Sequence, residues 1–233
     1  MNLKQTLIFF ISFLALTFFV HEIHDWAHTL VARVMSGCWP PRAFDNWQFC
    51  VETPVSLGEK ALATIAGPLI NLLLLYIGWQ KMNESNSEDQ QSLGCCLVFA
   101  ALPLNNLMAA ASGGGDLTTA IRLGFARYHN NHVINLIGLA IMLLFCVPPV
   151  IRAFTLLPWR NGKLVFFPLL LIAPGYVDRW LVNVMLNKWL INASTPKEQA
   201  YWWILAWGAL TLTILLLTYK SLTRFISDQE LPI

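Results

Sequence analysis

The sequence predicts an all-α, polytopic bundle of transmembrane helices, about six spans, with a short membrane-associated loop or hairpin after the first helix. Hydrophobic residues make up 56% of the 233 positions and charged ones only 12%. Apolar stretches of about 20 residues recur, the length that crosses a hydrocarbon core of roughly 30 Å. No stretch between them is long or polar enough to read as a soluble domain. The formal net charge is +2, and the Lys and Arg residues are scattered at span flanks rather than gathered in a block, so no nucleic-acid partner is expected.

The first apolar run, residues 7–20, follows Lys4 in the manner of a secretory signal. It continues into His21-Glu22-Ile23-His24-Asp25-Trp26-Ala27-His28 instead of a small-x-small cleavage site, so it reads as a retained helix, Leu3–Ser36. Gly37 and Pro40-Pro41 end it, and residues 37–59 mix aromatics, prolines and short apolar pieces, as a loop or hairpin on or in the membrane does. Spans are expected at residues 60–80 and 93–111, joined by a polar acidic link at 83–92. The second of these ends at Ser112-Gly113-Gly114-Gly115-Asp116, and a basic stretch over 122–132 follows. A fourth span covers 133–157 with Pro148-Pro149 inside it. Residues 164–191 carry Pro174-Gly175 and Asp178-Arg179 in the middle, and read as either a broken span with an internal ion pair or a re-entrant piece plus an interfacial helix. The last span, 201–218, opens on an interfacial Tyr201-Trp202-Trp203. Lys and Arg divide evenly between the two sides, so charge does not set the orientation.

Five cysteines with no Cys-x-x-Cys pair form neither a disulfide framework nor a thiolate metal site. Cys38 and Cys50 share one loop and are expected as two free thiols, with pairing the alternative if that loop faces an oxidising compartment. His129 and His132 have His-x-x-His spacing in a polar basic loop and are read as interfacial.

The chemistry lies in the first helix. Placing imidazoles and carboxylates at membrane depth costs several kcal/mol, roughly 3 per group on insertion scales, so such a cluster marks a site. At about 100° per residue, His24 and His28 lie roughly 40° apart around the axis and one turn apart along it, so both rings can converge on one ion. His21 lies about 60° from His24, placed to support a ligand or replace one. Taken on the residues alone, Asp116 reads either as an exposed acid after a glycine helix C-cap or as a third ligand that three preceding glycines let approach another helix closely.

These residues resemble the site-2 protease type of intramembrane zinc metalloproteases. The family's His-Glu-x-x-His on a membrane helix, continued by Ala, a basic residue and Gly, is matched by His24-Asp25-Trp26-Ala27-His28 with Ala32, Arg33 and Gly37. Its Gly-Pro-x-x-Asn is matched by Gly67-Pro68-Leu69-Ile70-Asn71. Its Asp-Gly segment after an Asn- and Pro-rich stretch corresponds to Pro103, Asn105, Asn106 and Gly113-Gly114-Gly115-Asp116, with Arg122 downstream. The resemblance implies one Zn2+ held by His24, His28 and Asp116, Asp25 in the position of the catalytic Glu, Asn71 orienting substrate or water, and a membrane-spanning protein substrate cut within the lipid bilayer. Residues 1–125 would be the metalloprotease core and 126–233 further membrane helices of unassigned role.

Asp25 departs from the pattern, being one methylene shorter than Glu. A second register, His21-Glu22-Ile23-His24-Asp25, keeps a Glu as base, with His21 and Asp25 as ligands, but loses the alignment of Ala32 and Arg33. The departure leaves two alternatives to an active peptidase: a zinc-binding, proteolytically inactive membrane adaptor, and a metal transporter.

Overall fold

The computed structural model describes residues 3–44, 46–50, 54–126, 130–157, 163–191 and 197–226. Those residues form an all-α bundle without named strands, and six of its helical segments are long and apolar enough to cross a membrane. The helix α1 spans Leu3–Ser36, and α2 spans Leu57–Lys81, opened by a capping box in which Ser56 and Glu59 each satisfy the other's backbone. The third segment is two helices, α3 (Glu88–Ala100) and α4 (Pro103–Ala111). Next come α5 (Gly115–Gly124), α6 (Asn131–Leu156), α7 (Lys163–Asp178) and a π-helical stretch, Arg179–Leu186. The chain closes with α8 (Asn187–Leu190), α9 (Lys197–Thr218) and α10 (Lys220–Thr223).

Several departures from the sequence expectation have local causes. The third span breaks because Pro103 lacks an N–H and disfavours helical geometry in the residue before it; Leu102 takes a left-handed conformation, φ 51°. The side chain of Asn106 donates to the carbonyl of Ala101 at 3.0 Å, which satisfies the backbone freed at the break. Half of the 83–92 link is helical, since Ser87 caps α3. The glycine run leads into a helix, α5, that takes up the start of the basic stretch. Residues 163–190 form one helical run with a π segment in place of a re-entrant turn.

The hairpin corrects the cysteine expectation. A bridge between Arg42 and Trp47 folds the loop back, Gln48 N–H donates to the Pro41 carbonyl at 3.0 Å, and Cys38 and Cys50 form a disulfide with Cα atoms 6.6 Å apart. Cys95, Cys96 and Cys146 are free and buried. His132 is exposed, and His129 lies outside the described residues.

Long-range contacts sort the connections into two ends. The Tyr201 hydroxyl donates to the Pro40 carbonyl, so the hairpin and the start of α9 share one end. At the other, Arg152 donates to the Met82 carbonyl at 3.0 Å and Ser12 meets Ser221 at 2.7 Å. Much of the apolar core lies towards this second end, where Phe9 stacks on Phe225 at 4.3 Å and packs with Phe13 and Phe99. The polar half of α1 faces the first end.

Candidate metal centre

Three elements meet at the second half of α1. Burial leaves His28 only 1% exposed, and its Nδ1–H donates to the Ala63 carbonyl of α2 at 2.7 Å. A carbonyl can only accept, so this bond fixes the proton on Nδ1 and leaves the Nε2 lone pair to face the site. The Nε2 of His24 lies 3.1 Å from that of His28, and Asp116 Oδ2, from the first turn of α5, lies 3.3 Å from each. Two imidazole nitrogens and a carboxylate oxygen thus form a nearly equilateral triangle. Tetrahedral bonds of about 2.0 Å require ligand atoms about 3.3 Å apart, so the three atoms match one face of a tetrahedral zinc site.

The α2 backbone leaves room for this triangle because residue 67 has no side chain. A Cβ on Gly67 would lie 2.6 Å from His24 Nε2 and closer still to His28 Nε2, in the space the two rings face. Burial raises the proton affinity of the Asp116 carboxyl, but hydrogen bonds from His24 and His28 with both rings protonated, and their charge, outweigh it and hold the group well below the usual carboxylate range. A metal bound at the same Nε2 atoms would displace those protons and supply the positive charge instead. Its place in the first turn of α5 favours the same charged form.

The carboxylate of Asp25 stands beside the triangle rather than in it. One of its oxygens lies within 4.8 Å of ring nitrogens of both histidines, so His24, Asp25 and His28 also form a group that could hold a metal ion. Its Oδ2 faces Arg42 at 3.6 Å and His21 at 3.7 Å and accepts no hydrogen bond. The second register's other members are engaged elsewhere: Glu22 pairs with the fully buried Arg42 at 2.8 Å, and His21 Nδ1 bonds Asp178 at 2.8 Å. Asp178 therefore does not pair with Arg179 as expected. It is 5% exposed and turned to α1, while Arg179 is exposed.

On α2, Asn71 is buried with its Oδ1 lacking a partner, and it lines a cavity of about 370 Å³ together with His21, His24, Asn105, Asp116 and Asp178. From the hairpin, Trp47 stacks on the His28 ring at 5.1 Å, and Arg42 lies over the Trp26 ring at 4.8 Å.

Sequence reasoning missed Arg42, Trp47 and the role of Asp178. For Arg42 a signal existed: a lone cation in an aromatic loop, following a helix with two unpaired acids. Asp178 stood out as an acid in an apolar segment, but its partner lies 157 positions away and no local pattern names it. Nothing marked Trp47. Compared with protein-family models, with curated proteins and with solved structures, the chain matches none.

Proposed function

We propose that this chain is an intramembrane zinc metalloendopeptidase of the site-2 protease type, with His24, His28 and Asp116 as ligands and Asp25 as the proton-transfer group. The observation that carries the reading is the triangle of ring nitrogens and carboxylate oxygen with sides of 3.1 to 3.3 Å. Charge supports it: Glu22 and Asp25 share one guanidinium, Arg42, Asp178 has His21 as its partner, and a divalent cation beside Asp116 offsets the remaining acid. A zinc ion bound there supplies Lewis acidity, polarising a carbonyl and acidifying a water.

The protein's own groups do the rest. His21 and Arg42 flank Asp25 and hold its carboxylate beside the histidines, where Oδ2 is open to accept a proton and return it to a leaving amine. The unpartnered Asn71 Oδ1 accepts a hydrogen bond from a peptide N–H in the cavity. Trp47, stacked on His28, covers that ring and keeps bulk water from it.

One observation favours a second reading, a zinc-binding but proteolytically silent membrane adaptor: the short Asp25 side chain is drawn 3.6 Å from Arg42. Purified full-length protein tests both. The peptidase reading expects about one zinc per chain and cleavage of a reconstituted transmembrane peptide, both lost in His24→Ala, His28→Ala and Asp116→Ala. Undiminished cleavage in those variants removes the peptidase reading. Zinc without cleavage in wild type, together with cleavage in Asp25→Glu, supports the adaptor.

A further inference from the structure

We infer that Arg122 and Asn135 form a clamp that positions Asp116, so that the fourth span, α6, sets the geometry of the candidate metal centre. The inference rests on the reading of Asp116 as a ligand and extends it to residues that touch neither histidine.

The turn that presents Asp116 has little rigidity of its own. Gly113 and Gly115 both adopt positive φ, 75° and 78°, and the Asp116 side chain is 45% exposed. A three-glycine run can take many backbone conformations, and holding one of them costs conformational entropy. Something outside the run must select the conformer that aims the carboxylate at α1. The Arg122 guanidinium does so from nearly two helix turns further along α5, where Nη2 donates to the Gly113 carbonyl at 2.9 Å and to Asn135 Oδ1 at 3.2 Å. Asn135 belongs to α6, and its amide lies flat against Gly113, leaving no space for a side chain: a Cβ there would fall 2.9 Å from Asn135 Cγ and closer to its nitrogen. The same face of α6 holds α5 at a second point, where Gly138 lets the buried Thr118 approach so closely that a Cβ on residue 138 would lie 2.7 Å from its hydroxyl. Both ends of the Asp116 turn are therefore fixed to α6.

Charge separates positioning from electrostatics. Removing a nearby guanidinium strengthens binding of a cation if charge alone matters, and weakens it if Arg122 acts by placing Asp116. Asn135 carries no charge, so its removal reports on placement only.

The test uses the full chain in detergent with zinc alone as the probe. Zinc affinity is measured by chelator competition, and amide hydrogen exchange across residues 112–124 is measured on the metal-free protein. Arg122→Ala and Asn135→Ala are expected to speed exchange at residues 112–118 and to weaken zinc binding by about 10–100-fold, with Arg122→Lys between wild type and Arg122→Ala. Unchanged exchange in both alanine variants overturns the proposal whatever the affinities are. Faster exchange with undiminished affinity overturns it as well. Wild-type protein that takes up no zinc defeats the metal reading instead, and the clamp is then decided by exchange alone. Should Arg122→Ala fail to fold, Asn135→Ala decides.

Discussion

Arg42 lies 2.8 Å from Glu22 with its side chain wholly buried and that of Glu22 only 5% exposed. The pair ties the hairpin to the helix that carries the histidines, across 20 positions of sequence. Breaking a buried pair from one side leaves an uncompensated charge, which costs about 3–5 kcal/mol, whereas replacing both partners by apolar groups is often neutral. Arg42→Ala is therefore expected to lower stability by about that amount, and Arg42→Met combined with Glu22→Leu to recover only part of it, because the buried Asp25 carboxylate still loses the guanidinium 3.6 Å away. Chemical unfolding in detergent measures the difference. A loss below about 1 kcal/mol for Arg42→Ala, the size of an exposed pair, would show that the charges are solvated.

Gly67 offers a sharper test of the site. Its Cα faces both ring nitrogens, so a methyl group there must displace them. Gly67→Ala is expected to weaken zinc binding by about 100-fold while the helix content stays at the wild-type level. Gly58, beside which a Cβ meets nothing, serves as the control. Equal zinc affinity in Gly67→Ala and Gly58→Ala would mean that the rings do not converge on the space beside α2.

The disulfide predicts an orientation where charge counting predicts none. The Cys38–Cys50 disulfide predicts that the hairpin end of the bundle faces an oxidising compartment. The link between α2 and α3 belongs to the opposite end, because α2 runs back through the bundle from the hairpin. A membrane-impermeant thiol reagent is expected to label Cys38 and Cys50 only after reduction and from the oxidising side, and to label Ser85→Cys from the other. Labelling of Cys38 without a reductant, or of both positions from one side, contradicts this arrangement.

The balance between sequence and structure is clearest residue by residue. Within α1, His24 and His28 were legible because helical periodicity is a local rule: four residues make about one turn whatever surrounds them. The spans were legible for a similar reason, since length and hydropathy are properties of a segment alone. Boundaries at Ser56, Ser87 and Leu102 were missed or blurred, although capping residues and a proline stood beside each; these signals decide single turns rather than whole helices.

By itself, the sequence determined an α-helical membrane bundle and one polar helix face with two histidines at ligand spacing, because both follow from composition and helix geometry. Only the tertiary structure decided what faces that polar surface: Asp116 from 92 positions away, Asp178 from the fifth span, and Arg42 and Trp47 from a disulfide-closed hairpin. It also decided that His21 and Glu22 are bound to partners while His24 and His28 converge. The physical reason is that hydrogen bonds and ion pairs act over about 3 Å, and which groups come that close depends on how separate helices pack, through glycines and buried contacts that no local pattern encodes.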